Sequence, residues 1–371
     1  MILTVLLYLS IYSLSFFILV RWGGMYQTRK EISYSSQHSH IECAEITVLI
    51  PFRNEASRLD GLIESINKLS RIPSNFIFIN DHSEDESVHV IEEKLKIKNY
   101  KILDLPPEFF GKKRALRYGA EQVTTEYILT FDADVEFDSQ FFDKMESLGK
   151  ADMYVLQAIM KSKKWYECFY EIDVLLVSAV NFGISGFFRP VVASGANLLY
   201  KTAVFNRVDN LDAHVHVSSG DDVYLLRDFR ASKCEVRLHT SLDHSVVTET
   251  PRSFKEFIAQ RIRWIGKTTD IKDAQSAYLV IFQTLLTFVF FGLLVWTLIE
   301  NDWVLALKLF GIKTIVDILI FGNYFLKLDR AVVLLFVPLY ELVFPIYSIV
   351  LMVLFLLYTP KWKGRDIYKR E

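Results

Sequence analysis

Long apolar runs near both ends of the chain enclose a middle region in which shorter apolar runs alternate with polar segments. Residues 2–20 carry no charged side chain and are about as long as a helix that crosses the hydrocarbon core of a bilayer. Similar runs occupy 277–299, 303–326 and 331–358. The pattern predicts an N-terminal transmembrane anchor, a folded middle domain and a C-terminal transmembrane region.

The middle region has the pattern of alternating strands and helices. A segment such as ASRLDGLIESINKL places its apolar residues at helical spacing. Continuous apolar strands separated by amphipathic helices predict a mostly parallel sheet covered on both faces, which is a doubly wound α/β domain. The predicted strands are ITVLIPF, NFIFIND, YKILDL, YILTFDAD and MYVLQAI, which begin at residues 46, 75, 100, 127 and 153.

The first apolar run is typical either of a retained anchor or of a cleaved signal peptide. A signal peptide would carry basic residues before the run and a small-residue cleavage site after it. Here Arg21, Arg29 and Lys30 follow the run instead, which favours an anchor. Because cytoplasmic segments are enriched in Lys and Arg, the middle domain is predicted to be cytoplasmic and the protein to be integral to the cell membrane.

The C-terminal runs raise a question of topology. Three crossings after a cytoplasmic domain would put the basic tail KWKGRDIYKRE on the opposite side, against the bias of positive charge towards the cytoplasm. One run is therefore predicted not to be a simple crossing, and two remain open for that role. Run 303–326 carries Lys308, Lys313 and Asp317, and run 331–358 is interrupted by Pro338, Glu341 and Pro345.

Composition narrows the classes of function. Hydrophobic residues make up 51% of the chain, which is too many for a purely soluble protein, and the net charge of −2 provides no basic field for nucleic acid. We therefore expect no nucleic-acid partner. The three cysteines show no paired spacing of the kind found in zinc sites or disulfide frameworks.

The ends of the predicted strands carry the polar residues of interest, because ligands of open parallel sheets bind beyond the carboxyl ends of the strands. Asp132 and Asp134 follow the fourth strand and, in an extended segment, would lie on the same side. Two carboxylates of this kind suit Mg²⁺ or Mn²⁺ that also binds substrate phosphate. Taken alone, the pair is more typical of a solvated turn, and its position after a buried strand is what favours a metal site.

The second strand and the helix after the third offer two more candidates. Asp81 ends a strand and is either a carboxylate that accepts hydrogen bonds from a nucleotide base or the N-cap of a helix. Gly111-Lys112-Lys113 precedes the helical stretch RALRYGAEQV and is either a phosphate contact at a helix start or a solvated basic turn.

Two motifs lie farther along the chain. Asp221 and Asp222 precede the helical stretch VYLLRDF, and Asp222 is a candidate for the base that deprotonates an acceptor hydroxyl, the alternative being a helix cap. Gln260, Arg263 and Trp264 share one face of a predicted helix. They suit a diphosphate and an acceptor, or an interfacial belt at the membrane surface.

Taken in order, these motifs resemble the family-2 glycosyltransferases, the inverting GT-A group that includes ceramide glucosyltransferases, carotenoid glycosyltransferases and membrane polysaccharide synthases. The resemblance covers residues 46–266 and implies a GT-A nucleotide-diphospho-sugar transferase domain with flanking transmembrane helices. The motifs are Pro51–Glu55, Asn80–Ser83, Gly111–Lys113, Asp132–Asp134, Gly220–Asp222 and Gln260–Trp264.

The resemblance also implies a role for each matching residue. Asp222 would be the catalytic base, Asp134 the principal metal ligand, and Asp132 a contact of the metal, the diphosphate or the sugar. Further donor contacts would be Pro51, Glu55, Asp81 and Lys113, and the diphosphate and acceptor contacts would be Asp221, Gln260, Arg263 and Trp264. The tail at Trp362–Arg365 is similar to a W-x-G-R ending of several lipid-directed members.

The sequence departs from the family pattern at two positions. Asn80 stands where many members have aspartate, which puts the ribose side of the donor site in doubt. Asp221 stands where many have glutamate, and this shorter carboxylate leaves Asp222 in place.

We therefore predict a metal-dependent hexosyltransferase that uses Mg²⁺ or Mn²⁺ and moves a sugar from a nucleotide-diphosphate donor, expected to be a UDP-sugar, to a membrane lipid. The alternatives are a processive polysaccharide synthase and a non-catalytic nucleotide-binding scaffold. A nucleotidyltransferase would have a glycine-rich loop after the first strand, which PFRNEASRL lacks. The predicted boundaries are an anchor at 1–22, a linker at 23–45, the GT-A domain at 46–270, the transmembrane region at 271–360 and a basic tail at 361–371.

Overall fold

The protein was analysed as a computed structural model, and its chain forms two compact units. The helical unit comprises Met1–Thr28, Ser162–Phe188 and Pro251–Tyr358, and the sheet unit comprises Arg29–Lys161, Arg189–Thr250 and Thr359–Glu371. The structure describes residues 2–36, 39–210, 220–270, 274–357, 361–362 and 365–366.

Strands occur where the apolar runs predict them. All seven residues of the first strand are buried, as a continuous run of apolar side chains requires. The strands are β1 Ile46–Phe52, β2 Asn75–Asn80, β3 Tyr100–Asp104, β4 Tyr127–Phe131, β5 Val135–Glu136, β6 Met153–Leu156, β7 Ala158–Lys161, β8 Asn197–Lys201, β9 Val236–His239, β10 Val246–Glu249, β11 Lys361–Trp362 and β12 Arg365–Asp366.

The helices divide between the two units. The amphipathic helix predicted in the stretch ASRLDGLIESINKL spans Leu59–Asn67 and buries its apolar residues. The helices are α1 Ile2–Phe16, α2 Gly23–Ser35, α3 Leu59–Asn67, α4 Ser87–Lys94, α5 Lys112–Ala120, α6 Phe141–Met145, α7 Cys168–Phe187, α8 Thr202–Val208, α9 Asp221–Ala231, α10 Phe254–Asp270, α11 Ala274–Ile299, α12 Trp303–Lys327 and α13 Val337–Leu357.

A seven-stranded sheet in the order β3-β2-β1-β4-β8-β6-β9 forms the centre of the sheet unit. The first four strands in this order are parallel, with Pro51 of β1 opposite Ile79 of β2. Strand β8 is antiparallel to both of its neighbours, so the sheet is mixed. The expectation of a mostly parallel sheet is confirmed, and β8 is the strand that runs in the opposite direction, between β4 and β6.

Aromatic side chains fill the core beside this sheet. Phe131 packs against Phe137 and Phe141 with ring centroids 5.0 and 5.6 Å apart. Phe76 and Phe142 make an edge-to-face pair at 6.1 Å, a geometry that the electrostatics of aromatic rings favour. The short sheet β5-β10-β7 lies in the same unit.

The helical unit contains helices long and apolar enough to cross a membrane. Among the described residues there are four such segments by length and composition: Ile2–Ser35, Trp165–Phe187, Ala277–Ile299 and Ala331–Leu357. Of the two C-terminal runs left open by the sequence, Ala331–Leu357 meets this criterion and α12 does not. The segment Trp165–Phe187 was not predicted as a membrane segment, because Glu171 and Asp173 interrupt its apolar pattern.

The chain after the predicted N-terminal anchor is partly helical. The first helix continues through π-helical turns at Phe17–Trp22 into α2, which ends at Ser35, within the segment predicted as a linker. A 3₁₀ turn at Cys43–Glu45 then precedes β1.

Charged side chains on α12 pair inside the helical unit. Lys313 lies 2.7 Å from Asp317 and also forms an ion pair with Glu341 of α13. The Tyr12 hydroxyl of α1 donates a hydrogen bond of 2.7 Å to Asp317. Removing one partner from such a buried group leaves an uncompensated charge, so these contacts hold α1, α12 and α13 in register.

Glycines allow a close approach of α7 to the N-terminal helix. A Cβ added at Gly183 would overlap the carbonyl oxygen of Leu19, and one added at Gly186 would overlap that of Gly23. Gly311 of α12, in contrast, has nothing within 4 Å of the position of an added Cβ. Small residues at such positions let helix backbones pack directly against each other.

We predict that Gly183→Ala destabilises the protein by about 1–3 kcal/mol, because the methyl group forces the two helices apart. The measurement is the midpoint of thermal unfolding of the detergent-solubilised protein. Gly311→Ala adds the same methyl group where nothing lies within 4 Å and should not lower the midpoint, because alanine favours a helix more than glycine does. Equal midpoints for the wild type and both variants would contradict the close helix contact.

Candidate active site

The carboxyl ends of three neighbouring strands carry the candidate residues of the sheet unit. Strands β2, β1 and β4 are adjacent and parallel, so their carboxyl ends lie at one edge of the sheet. Pro51 lies within β1 and Glu55 in the loop that follows it. Asp81 follows β2, and Asp132 follows β4. The structure therefore brings these predicted donor residues to one edge.

Hydrogen bonds connect the loops after β1 and β2. The Asn54 amide donates to the Ser83 hydroxyl at 3.1 Å, and the Asn54 side-chain oxygen accepts from the Glu84 amide at 2.8 Å. The Glu55 amide donates to the Ser87 hydroxyl at 2.8 Å. Asn54 has φ of 50°, a left-handed conformation that asparagine tolerates better than most residues. These bonds hold the two loops together.

Asp81 holds the loop that leads into α5. Its side chain is buried, and its Oδ2 accepts a hydrogen bond of 3.1 Å from the Gly111 amide. Gly111 has φ of 92°, which a residue with a side chain rarely adopts. The aspartate and the glycine together therefore determine where α5 begins.

Asn80 uses its amide in a way that an aspartate could not. Its side-chain nitrogen donates to Asp104 Oδ1 at 2.8 Å, and its side-chain oxygen accepts from the Ser83 amide at 2.9 Å. An aspartate here would place two carboxylates side by side. Asparagine at position 80, where many family members have aspartate, is therefore compatible with the carboxylate of Asp104 at the end of β3.

The Asp132-Ala133-Asp134 segment forms a turn between β4 and β5. The expectation of an extended segment was wrong, because Ala133 and Asp134 form a turn before β5 begins. Arg58 Nη1 lies 3.6 Å from Asp134 Oδ2. Burial, followed by the negative charges of Asp132 and Glu55, raises the pKa of Asp134 to about 7 despite Arg58.

Lys112 connects two of the acidic motifs. Its Nζ lies 2.6 Å from Asp132 Oδ1 and 2.9 Å from Asp221 Oδ2. Burial opposes the charged ammonium, but Asp132, Asp221 and Asp222 outweigh it and raise the pKa of Lys112 above its ordinary value. The lysine therefore stays charged and draws these aspartates together.

The neighbouring Lys113 has different surroundings. Its ammonium lies over the Tyr224 ring of α9, 4.0 Å from the ring centroid, and the residue is buried. Lys112 contacts the carboxylates of Asp132 and Asp221, whereas the sequence had singled out Lys113.

The first turn of α9 carries Asp221 and Asp222. The turn follows Gly220, whose φ of 92° lies in the left-handed region. Asp222 Oδ2 accepts a hydrogen bond of 3.3 Å from the Gly195 amide. A Cβ at Gly195 would lie 2.5 Å from Asp221 Oδ2 and 2.6 Å from Lys112 Nζ. Only a glycine fits beside this cluster without displacing it.

The motif at Gln260, Arg263 and Trp264 lies on α10, which belongs to the helical unit. Arg261, inside the motif, lies 2.6 Å from Asp173 and stacks on the Trp264 ring at 4.2 Å from its centroid. The residues Gln260, Arg263 and Trp264 therefore belong to the helical unit, and the strand-end candidates belong to the sheet unit.

The sequence did not single out Arg58 or Gly195, and it included Lys112 only within the motif Gly111–Lys113, with Lys113 as the predicted contact. Which of the two lysine side chains faces the carboxylates depends on where α5 begins, and thus on the conformation of Gly111. Gly195 lies in the apolar stretch VASGANLLY, where it looked like part of a buried segment. Arg58 carried no motif signal.

Asp132 and Asp134 are the residues that could hold a divalent cation. Burial and the nearby Asp132 and Glu55 carboxylates raise the pKa of Asp134, so a cation beside it would favour its ionised form. Within the described residues, no group of three or more His, Cys, Asp or Glu side chains forms a complete metal site. Oxygen ligands from a bound substrate would complete the coordination, as is common for Mg²⁺.

The part of the chain that carries most of the strand-end candidates matches a known protein family. Residues 47–189 match the family model described as "Glycosyl transferase family 2". The match covers strands β1 to β7 and with them the loops that carry Glu55, Asp81 and Asp134.

Curated relatives are similar over about a third of the chain. A 4,4'-diaponeurosporenoate glycosyltransferase of Staphylococcus aureus is 30% identical over 138 residues, which are 35% of this chain and 36% of the relative. A poly-beta-1,6-N-acetyl-D-glucosamine synthase of Staphylococcus epidermidis is 29% identical over 129 residues, 35% of this chain and 28% of the relative. The chain thus spans about a third of the length of these relatives.

A solved structure supports the fold over a greater length. A mannosyltransferase from Pyrobaculum calidifontis, solved in complex with GDP-Man and Mn²⁺, aligns with a TM-score of 0.53 at 14% identity. The alignment covers 92% of this chain and 99% of that chain. The predicted GT-A fold class with flanking apolar helices is confirmed.

We predict that Asn80→Asp destabilises the protein by about 1 kcal/mol, because the hydrogen bond to Asp104 is replaced by carboxylate repulsion. The thermal unfolding midpoint at neutral pH measures the effect. Asn99→Asp makes the same chemical change at an exposed position and serves as the control. An Asn80→Asp midpoint no lower than that of the control would contradict the role assigned to the Asn80 amide.

Proposed function

From the family 2 glycosyltransferase domain that this chain carries, we propose that the protein is an inverting glycosyltransferase. It moves a sugar from a nucleotide-diphosphate donor, a UDP-sugar, to a lipid acceptor in the membrane. The observation that carries the proposal is the cluster in which Lys112 joins Asp132 to Asp221, beside Asp134 and Asp222. A diphosphate with a divalent cation suits such a cluster in charge and in ligand type.

Asp222 is the proposed catalytic base. It lies on the first turn of α9, where the Gly195 amide orients its carboxylate. Asp222 takes the proton of an acceptor hydroxyl, whose oxygen attacks the anomeric carbon as the bond to the diphosphate breaks. Attack from the side opposite the leaving group inverts the anomeric configuration.

Asp132 and Asp134 are the proposed ligands of Mn²⁺ or Mg²⁺. Their carboxylates lie on one turn and supply the oxygen ligands that these cations prefer. When bound, the cation offsets the charge that develops on the departing diphosphate. Lys112 lies between Asp132 and Asp221, where its ammonium would pair with a diphosphate oxygen.

The loops at the ends of β1 and β2 are the proposed donor site. Pro51, Glu55 and Asp81 would contact the base and ribose, and the bonds between these loops would keep that surface in place. Lys113 is proposed for the base or phosphates from the motif, although its ammonium lies over Tyr224 here. Gln260, Arg263 and Trp264 are proposed for the diphosphate and acceptor from their motif alone.

The lipid acceptor is proposed from the helical unit and from one relative. Four described segments are long and apolar enough to cross a membrane, which supports an acceptor in the lipid phase. The similar diaponeurosporenoate glycosyltransferase is named for an apolar acceptor. The basic residues Arg21, Arg29 and Lys30 after the first apolar run support a cytoplasmic sheet unit.

We predict that Asp222→Asn lowers kcat by about 10²–10⁴-fold, because the acceptor hydroxyl loses its base. The assay incubates detergent-solubilised protein with Mn²⁺, a panel of nucleotide sugars and total membrane lipid, and follows nucleoside diphosphate release and lipid mass. Asp60→Asn changes an exposed aspartate of α3 and should retain wild-type turnover.

Two outcomes would overturn this assignment. Wild-type turnover in Asp222→Asn would exclude Asp222 as the base. A polymer in place of a lipid that carries one added sugar would indicate a processive synthase, the activity named for the similar glucosamine polymer synthase.

We predict that Asp134→Asn weakens Mn²⁺ binding by at least about tenfold, because a neutral amide replaces a charged ligand. Electron paramagnetic resonance of Mn²⁺, titrated with protein in the presence of UDP, measures binding without turnover. Asp138→Asn alters a nearby exposed aspartate and should bind as the wild type does. Equal affinities for all three proteins would place the metal elsewhere.

A further inference from the structure

A cavity of about 450 Å³ lies within the helical unit. Its volume falls in the range of about 300–1,000 Å³ that is usual for small-molecule sites. Its walls come from the start of the segment Trp165–Phe187, from the first residue of α10 and from one face of α13. Residues of these walls include Trp165, Phe169, Phe254, Tyr340, Val343 and Val350.

Aromatic and aliphatic side chains form the lining. Phe169 packs against Tyr340 and Tyr347 with ring centroids 5.1 and 5.4 Å apart. The Tyr340 hydroxyl is engaged in a 2.8 Å hydrogen bond to Asp173. The cavity therefore offers ring and methyl surface, which suits a hydrocarbon and not a sugar or a nucleotide.

An ion pair fixes the walls of this cavity. Arg261 of α10 lies 2.6 Å from Asp173 of α7 and donates a 3.2 Å hydrogen bond to the Tyr170 carbonyl. Asp173 also accepts a hydrogen bond from the Tyr340 hydroxyl of α13. The three helices that line the cavity are thus joined at one buried group, so the space is a formed feature of the fold and not a gap between mobile helices.

The rim of the cavity has the composition of a membrane interface. Trp165 and Phe254 lie at the rim and are 68% and 60% exposed. Lys163 and Lys164 immediately precede Trp165, and Phe254 lies between Arg252 and Lys255. Aromatic side chains beside basic ones are typical of the headgroup level of a bilayer, with the apolar part of the helix below it.

The surroundings of the cavity decide what can enter it. Two of its walls belong to Trp165–Phe187 and Ala331–Leu357, which are both apolar enough to cross a membrane. In a bilayer, lipids are the molecules that have access to a cavity between such segments.

We propose that this cavity binds the hydrocarbon chain of the acceptor lipid, with the lipid headgroup at the aromatic and basic rim. The inference rests on the proposed function and adds to it a site that selects an acceptor with a long apolar chain. That chain can be a fatty acyl chain or an isoprenoid chain, since both present the same hydrocarbon chemistry.

The first test fills the cavity. Val343→Trp and Val350→Trp place a large ring into the space from α13, and Leu342→Trp adds the same ring at an exposed position of α13 outside the lining. We expect the two filling variants to raise KM for the lipid acceptor about tenfold or more, with KM for the donor unchanged. Leu342→Trp should keep the wild-type KM for both substrates.

The second test detects binding without turnover. Full-length protein in vesicles is irradiated with two photoreactive lipids, one carrying a diazirine on a fatty acyl chain and one carrying it on an isoprenoid chain. We expect labelled peptides to contain residues 165–170 and 339–350, and we expect the filling variants to lose this label. The chain that labels more strongly identifies the source of the hydrocarbon.

The outcomes separate this inference from the proposed function. Lipid transfer with unchanged acceptor KM in both filling variants would overturn the inference and leave the function standing. Labelling of the cavity without transfer from any donor would overturn the function but keep a lipid site. Absence of label from both peptides would overturn the lipid site itself.

Discussion

Half-buried carboxylates at the end of a sheet need positive charge close by, and the sheet unit depends on how that need is met. Lys112 lies between Asp132 and Asp221, and Arg58 lies beside Asp134. Burial, followed by the charges of Asp132 and Glu55, still raises the pKa of Asp134 to about 7. A divalent cation beside Asp132 and Asp134 would favour the ionised form of Asp134 and would offset the negative charge of a diphosphate. The proposed chemistry follows from this balance of charge.

The loops around the cluster are shaped to keep it in place. Gly111 and Gly220 adopt left-handed conformations where α5 and α9 begin, and Gly195 leaves room for the Lys112 side chain. Asp81 fixes the first of these turns through the Gly111 amide, which gives this aspartate a structural role beside its proposed contact with a nucleotide base. Replacement of any of these residues would change the conformation of a loop and so displace the side chains of the cluster.

Much of the fold was predictable because its strands are buried. A strand covered on both faces appears as a continuous apolar run, and β1 to β4 lie where such runs predict them. The direction of β8 was not predictable, because it depends on partners far away in the chain. The choice between Lys112 and Lys113 was not predictable either. A shift of one residue in the start of a helix turns each side chain by about 100°, and the sequence does not define that start to one residue. The segment Trp165–Phe187 was missed because Asp173, which is paired with Arg261 in the fold, reads as a polar interruption in the sequence.

The most direct test of the account is the chemistry of the product. The purified protein would be incubated with a nucleotide sugar, Mn²⁺ and membrane lipid, and the glycosidic linkage of the isolated product would be determined by nuclear magnetic resonance. The account predicts a lipid that carries one sugar, whose anomeric configuration is opposite to that of the donor. Retention of the donor configuration would contradict a single displacement with Asp222 as the base, and a product without lipid would contradict the proposed acceptor.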